Sequence, residues 1–110
     1  MTIQEETRST PASLREALHA VEDPELPISI VDMGLIVDLR FEEGVAYVQI
    51  TFTAMGCPAI DMIVDDVREC LLREPGVNSV QVEIVWSPIW TKDRLSDDGK
   101  FQLRSWGISL

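Results

Sequence analysis

Two cysteines, one histidine and a set of carboxylates are the side chains of this 110-residue chain with the reach to bind a metal or attack an electrophile. Cys57 has the best position among them. It belongs to "TAMGCP", residues 53–58, which ends an alternating apolar run and precedes an apolar stripe of helical period. A cysteine at such a strand-to-helix junction meets free backbone N–H groups and the positive end of the helix dipole. Both favour the thiolate, the form of cysteine that binds metals and acts as a nucleophile. Gly56 removes bulk beside the sulfur, and Pro58 pre-sets the first helical turn. The competing reading is a small buried apolar residue. Asp61, one turn on, also opposes the dipole by disfavouring a negative sulfur.

The other candidates are weaker. Cys70 flanks the apolar stripe near the helix end and reads as structural filling. If both cysteines share one helix, a rise of about 1.5 Å per residue places them roughly 20 Å apart. A disulfide needs Cα atoms within about 7 Å. His19 falls just off the apolar face of the first helix and reads as a solvated surface residue, so no base for a Cys–His nucleophile is evident. A closed zinc site lacks ligands, because structural zinc takes four from cysteine and histidine. A thiolate-held metal would need a second protomer, a partner protein or a small thiol. Asp23 and Glu25 flank Pro24 in "DPELP", a stiff loop that fixes their directions. They could orient the thiol, assist metal capture or cap a helix end; on composition alone, capping or solvation is favoured.

The elements that must position these residues follow from periodicity. Residues 1–9 read as a mobile N-terminal tail, and 10–110 as a single domain. Thr10 can cap a helix with Pro11 at its first position. Leu14, Ala17, Leu18 and Val21 give it one apolar face, and Pro24 stops it near Glu22. Gly34 precedes "LIVDLRF", where Leu35, Val37, Leu39 and Phe41 alternate as a strand face. "EEG" at 42–44 is a hairpin connection. The next strand, "VAYVQITFT", buries Ala46, Val48, Ile50 and Phe52, and turns Val45, Tyr47, Gln49, Thr51 and Thr53 the other way. A helix from about Pro58 to Arg73 carries Ile60, Ile63, Val64, Val67 and Leu71 as its stripe, and "EPG" ends it. "SVQVEIVW" is a third strand, with Val80, Val82, Ile84 and Trp86 on one face. Strand, helix, strand in that order implies a right-handed crossover and a parallel pair beside the hairpin. Ser96 or Asp97 can cap a short last helix through Leu103, ended by Gly107, although Gly99 weakens it by about 1 kcal/mol relative to alanine. Trp86 and Trp90 bracket "SPI" and read as cover for the sheet edge or an interface, with core packing favoured for the pair. The fold class is α/β in the α+β sense: a small two-layer sandwich, a mixed three-stranded sheet with helices packed on it, in the order α-β-β-α-β plus a short C-terminal helix.

Composition narrows the function classes. The formal charge of −10 repels phosphate backbones, which argues against bulk nucleic acid or an anionic membrane as partner. No apolar run approaches the roughly 20 residues that span a bilayer. "MTIQEETRSTP" lacks a signal peptide's basic and apolar regions, so the reading is cytoplasmic.

"DPELP" at 23–27, "DMGLI" at 32–36, "TAMGCP" at 53–58 and "VWSPIWTKDRLS" at 85–96 occur in this order. Together they resemble the SufT/PaaD-like family of metal–sulfur cluster assembly proteins, over roughly residues 12–108 including "WGI". The resemblance implies a compact α/β domain that matures iron–sulfur proteins. It also implies that Cys57 is the functional cysteine, with Asp23, Glu25, Thr53 and Gly56 lining its site. Members serving the phenylacetyl-CoA epoxidation system carry an additional cysteine-rich C-terminal segment that this sequence does not show. That departure favours a general assembly factor over an oxygenase-specific accessory subunit.

Three functions then compete. The favoured one is a non-catalytic carrier or adaptor: Cys57, paired across a homodimer, holds iron or a labile iron–sulfur cluster and delivers it to client apoproteins alongside other assembly proteins. One cysteine per chain suits release, since a four-cysteine site would give up its cluster reluctantly. The second is an enzyme with Cys57 as nucleophile and Asp23 or Glu25 as base. The third is a structural bridge acting through the sheet edge and tryptophans.

Overall fold

Thr10 and Ser13 start the first helix by satisfying each other's backbone. Thr10 is extended, its Oγ1 accepts from the Ser13 amide at 3.0 Å, and the Thr10 amide donates to Ser13 Oγ at 2.8 Å. This reciprocal cap satisfies amides that have no partner inside the helix. With Pro11 at the first position, α1 runs Pro11–Ala17 and tightens into a 3₁₀ turn, Leu18–Ala20. In this computed structural model the described residues are 9–23, 28–52, 59–87 and 89–107. The expected N-terminal tail lies outside them up to residue 8. Helical structure stops slightly before Glu22, because Glu22 leaves to form an antiparallel bridge with Ser29.

Strands β1 (Ile36–Glu42) and β2 (Val45–Ile50) form the expected hairpin. Its two connecting residues, Glu43 and Gly44, both have left-handed backbones at φ 51° and 81°. This is the conformation that matches the twist of a two-residue hairpin. One expectation fails in β1. Val37 does not share the buried face with Leu39, because the register slips between Ile36 and Asp38. A bulge lets two residues oppose one, so Ile36 pairs with Ile50 and is buried in Val37's place.

Helix α2 (Ala59–Leu72) buries Ile63, Val67 and Leu71 one turn apart, with Ile60 and Val64 beside them. Strand β3 (Ser79–Ile84) pairs parallel with β2, giving the sheet order β1-β2-β3. Leu39, Ala46, Val48 and Ile50 face α1 and α2 across one core that also takes Leu14 and Leu18. Each of the Leu, Val and Ile side chains contributes on the order of 2 kcal/mol by leaving water, and the Ala46 methyl less. The opposite sheet face is polar: the Arg40 guanidinium lies 5.0 Å over the Tyr47 ring, and Gln49 donates to Glu83 at 3.0 Å. The two-layer α+β sandwich is the expected fold.

The chain after β3 folds back onto the turn before β1. Trp90 Nε1 donates to Met33 O at 2.6 Å, Arg94 Nε to Gly34 O at 2.8 Å, and the Ser96 amide to Asp32 O at 2.8 Å. Gly34 has φ 77°, and an added Cβ would run into the Arg94 carbonyl. A 3₁₀ turn, Lys92–Arg94, leads to α3 (Asp97–Ser105), capped by Ser96 Oγ accepting from the Gly99 amide at 2.9 Å. Gly99, unfavourable as a helix former, is a packing requirement here: a Cβ would come 2.9 Å from Asp32 O. No helix among the described residues is long and apolar enough to cross a membrane.

Candidate functional site

Because β2 and β3 are parallel, their C-terminal ends share one end of the sheet with the start of β1. In-register Ile36, Ile50 and Ile84 form the last row there. Beyond it the ladder gains one rung on each side: the Thr51 amide donates to Leu35 O at 2.8 Å and the Val85 amide to Ile50 O at 2.9 Å. Phe52 is buried and tilted at 50° to Trp86, with ring centroids 6.3 Å apart. The C-terminal end of parallel strands is where α/β sheets ordinarily bind ligands, because chain leaves it in loops toward helix N-termini. Here the connecting segment is 53–58, joining this end to α2.

Thr53, Gly56 and Cys57 therefore lie outside the described residues, as does Glu25. Asp23 is described. Its amide donates to Ile28 O at 3.1 Å, and the Ile30 amide donates to Val21 O at 2.9 Å. With the Glu22–Ser29 bridge, these bonds pin both ends of the 24–27 loop. The expected grouping of Asp23 and Glu25 around Cys57 falls outside the described residues.

Thr51 was missed by alternation, which turned it outward with Tyr47 and Gln49. It is 1% exposed, and its Oγ1 has no hydrogen-bond partner among the described residues. A desolvated hydroxyl without a partner costs about 1–3 kcal/mol, and such groups are rare enough to require a reason. The available signal was a threonine two positions before "TAMGCP".

Asp32 was also missed as a hub. Its carboxylate accepts from Ser96 Oγ at 2.7 Å and from Ser29 Oγ at 3.2 Å, while its amide donates to Ser29 Oγ at 3.0 Å. His19 is exposed, as its helix position implied, and its Nε2 lies 3.8 Å from the same carboxylate. A serine, a histidine and an aspartate together invite a nucleophile reading, but the bonding argues against one. Ser96 Oγ donates to Asp32 and accepts from the Gly99 amide, as a helix cap does. His19 faces the acid and hydrogen-bonds neither serine among the described residues. The cluster ties the 29–34 turn to α3.

Cys70 is structural, as expected. Its thiol donates to Ala17 O at 3.3 Å, fastening α2 to the end of α1. Burial pushes the thiol pKa up, Glu74 adds to the rise, and Arg73 partly offsets it. Among the described residues, no group of three or more His, Cys, Asp or Glu could hold a metal ion.

Comparison with known proteins agrees with this architecture. The chain is 45% identical over 84 residues to the Fe-S protein maturation auxiliary factor SufT of Staphylococcus aureus, covering 76% of this chain and 96% of that one. It is 43% identical over 88 residues to the Fe-S protein maturation auxiliary factor YitW of Bacillus subtilis, covering 79% and 86%. The crystal structure of a domain of unknown function from Bacillus anthracis superimposes with a TM-score of 0.81 at 40% identity, covering 86% of this chain and 91% of that one. Residues 11–84 match the family model described as iron–sulfur cluster assembly protein. That span contains the DPELP loop, the Cys57 segment and the whole sheet, and the chain belongs to this iron–sulfur cluster assembly family.

Proposed function

We infer that the protein is an iron–sulfur maturation factor whose single domain, 10–110, briefly holds iron or an iron–sulfur cluster as cargo and passes it to client apoproteins. The observation carrying this reading is where the Gly-Cys-Pro sequence falls: in the segment leaving the C-terminal end of a parallel strand pair and entering the fourteen-residue α2. That position favours a thiolate with open coordination. The names of two similar relatives, both maturation auxiliary factors, support the same class. In this reading Cys57 is the metal ligand and Gly56 gives the cargo access to it. Asp23, Glu25 and Thr53 line the site and supply hydrogen bonds or weak oxygen ligands. The buried Thr51 hydroxyl is a further polar atom near the same strand end.

One soft ligand per chain cannot saturate a cluster iron. A homodimer, an assembly partner or a client thiol completes the coordination, and incomplete ligation makes release easy. The role is carriage and not catalysis. A working thiol of this kind needs a reducing compartment, which supports a cytoplasmic location beside other assembly proteins.

The test is anaerobic reconstitution with ferrous iron and sulfide, comparing wild type with Cys57→Ser. A sulfur-to-iron charge-transfer absorption in the wild type that disappears in the variant is expected. Absence of absorption in both proteins would reduce the role to an adaptor that holds partners together without carrying cargo.

A further inference from the structure

Charge is unevenly distributed along this chain. Residues 92–110 hold four of the nine Lys and Arg but three of the nineteen Asp and Glu. Arg94 is committed to the fold, its guanidinium donating to Gly34 O. The other three, Lys92, Lys100 and Arg104, line one open groove of about 190 Å³ together with Asp93. None of these three cations forms an ion pair with any carboxylate among the described residues, although Asp93 lines the same groove and Asp97 and Asp98 open the same helix. Elsewhere Arg40 and Arg73 find acidic neighbours, while Arg15 and Arg68, like these three, form no ion pair among the described residues. What sets Lys92, Lys100 and Arg104 apart is that three cations without an ion pair among the described residues converge on one groove of a strongly acidic protein.

The groove also has apolar company. Phe101 is 71% exposed and Trp106 48% exposed, while Gly99 and Leu103 take the buried side of α3. Phe101 precedes Arg104 by three residues, so the two are neighbours on the helix surface, at the edge of the groove that Arg104 lines. Exposed aromatic surface beside unpaired cations is the composition of a protein-docking patch.

We propose that the outer face of α3, with Lys92, docks an acidic segment of a partner protein that carries a large apolar side chain. Carboxylates of the segment pair with Lys92, Lys100 and Arg104, and its apolar residue packs on Phe101. Nucleic acid fits poorly, because three cations cannot offset the repulsion from a chain of net charge −10. A simple anion fits poorly too, since it would leave Phe101 uncovered. The surface does not involve Cys57, so failure of the cargo reading leaves it standing, and the reverse also holds.

The experiment uses the full chain and a fluorescein-labelled peptide of alternating Asp and Glu around one central Leu. Fluorescence anisotropy should show saturable binding that weakens as salt rises. The Lys100→Glu, Arg104→Glu double variant should bind about tenfold more weakly, the scale expected when exposed pairs worth up to about 1 kcal/mol are reversed. Phe101→Ser should weaken the Leu peptide and leave a Gly-substituted peptide unaffected. All three positions lie on the surface of α3, and circular dichroism with the unfolding midpoint confirms that the variants fold. No binding by wild type, or equal binding by the folded double variant, would overturn the proposal. So would full displacement of the peptide by pyrophosphate at equal charge, which would mark a simple anion site. Salt-sensitive self-association abolished by the double variant would likewise overturn it, assigning the groove to a second copy of this chain.

Discussion

Thr51 and Cys70 show how position in the fold sets what a side chain does. Thr51 is desolvated without a partner among the described residues, so replacing it by the equally β-branched valine removes a polar group and breaks no hydrogen bond to any of them. Thr51→Val should therefore raise stability by about 1 kcal/mol in urea unfolding. A drop of similar size would mean that the hydroxyl has a partner in the folded protein. For Cys70, the sign of the pKa shift decides reactivity. Burial and Glu74 push its pKa up, so at neutral pH it stays a thiol and the thiolate fraction grows only in alkaline solution. Since the thiolate is the reacting form, iodoacetamide at pH 7 should alkylate Cys57 well before Cys70, as read by peptide mass mapping. Cys70 should catch up as pH rises through the alkaline range or when the chain unfolds. Faster labelling of Cys70 in the folded protein would contradict this assignment.

At the scale of elements, the return of the C-terminal chain to the turn before β1 is the contact most exposed to a single substitution. Gly34 holds a left-handed backbone with the Arg94 carbonyl packed where a side chain would begin. Gly34→Ala combines the backbone penalty of about 1–2 kcal/mol with a forced displacement of the 92–96 segment. It should destabilise the protein by more than about 2 kcal/mol and make that segment the first protease cleavage site. A variant of wild-type stability would show that the packing around Arg94 is loose.

The elements themselves were largely legible in the sequence. Thr10-Pro11, the alternation in β2, the stripe Ile63-Val67-Leu71 and the cap at Ser96 each carry a local signal, because each is fixed by neighbours within four residues. The bulge in β1 was hidden. "LIVDLRF" is apolar at adjacent positions, so either Ile36 or Val37 satisfies alternation, and only pairing with β2 decides between them. Gly99 was misjudged for the same reason: its value lies in a contact with Asp32, far away in sequence. The Asp32 cluster joins residues 19, 29, 32 and 96, and no periodicity links those positions. For the candidate site, the sequence singled out Cys57 from its Gly-Cys-Pro setting, and the fold adds the strand end from which that segment departs. Thr51 was obscured because alternation assigns a face but not what covers it.

Viewed whole, the molecule is one core under one sheet face, with the proposed site at one end of the sheet and a basic patch on and beside α3. A carrier needs this separation: a stable body, a poorly saturated metal ligand, and surfaces that recognise donor and client. The central claim is that cargo passes through Cys57, and delivery tests it most directly. The protein is loaded anaerobically with iron and sulfide, desalted, and mixed with an apo-hydratase that is active only with its iron–sulfur cluster. Recovery of hydratase activity is then followed in the presence of a chelator that captures free iron. Wild type should restore activity, and Cys57→Ser, carried through identical loading, should remain at the level of the chelated control. Equal restoration by both proteins would contradict the account and place delivery on residues other than Cys57.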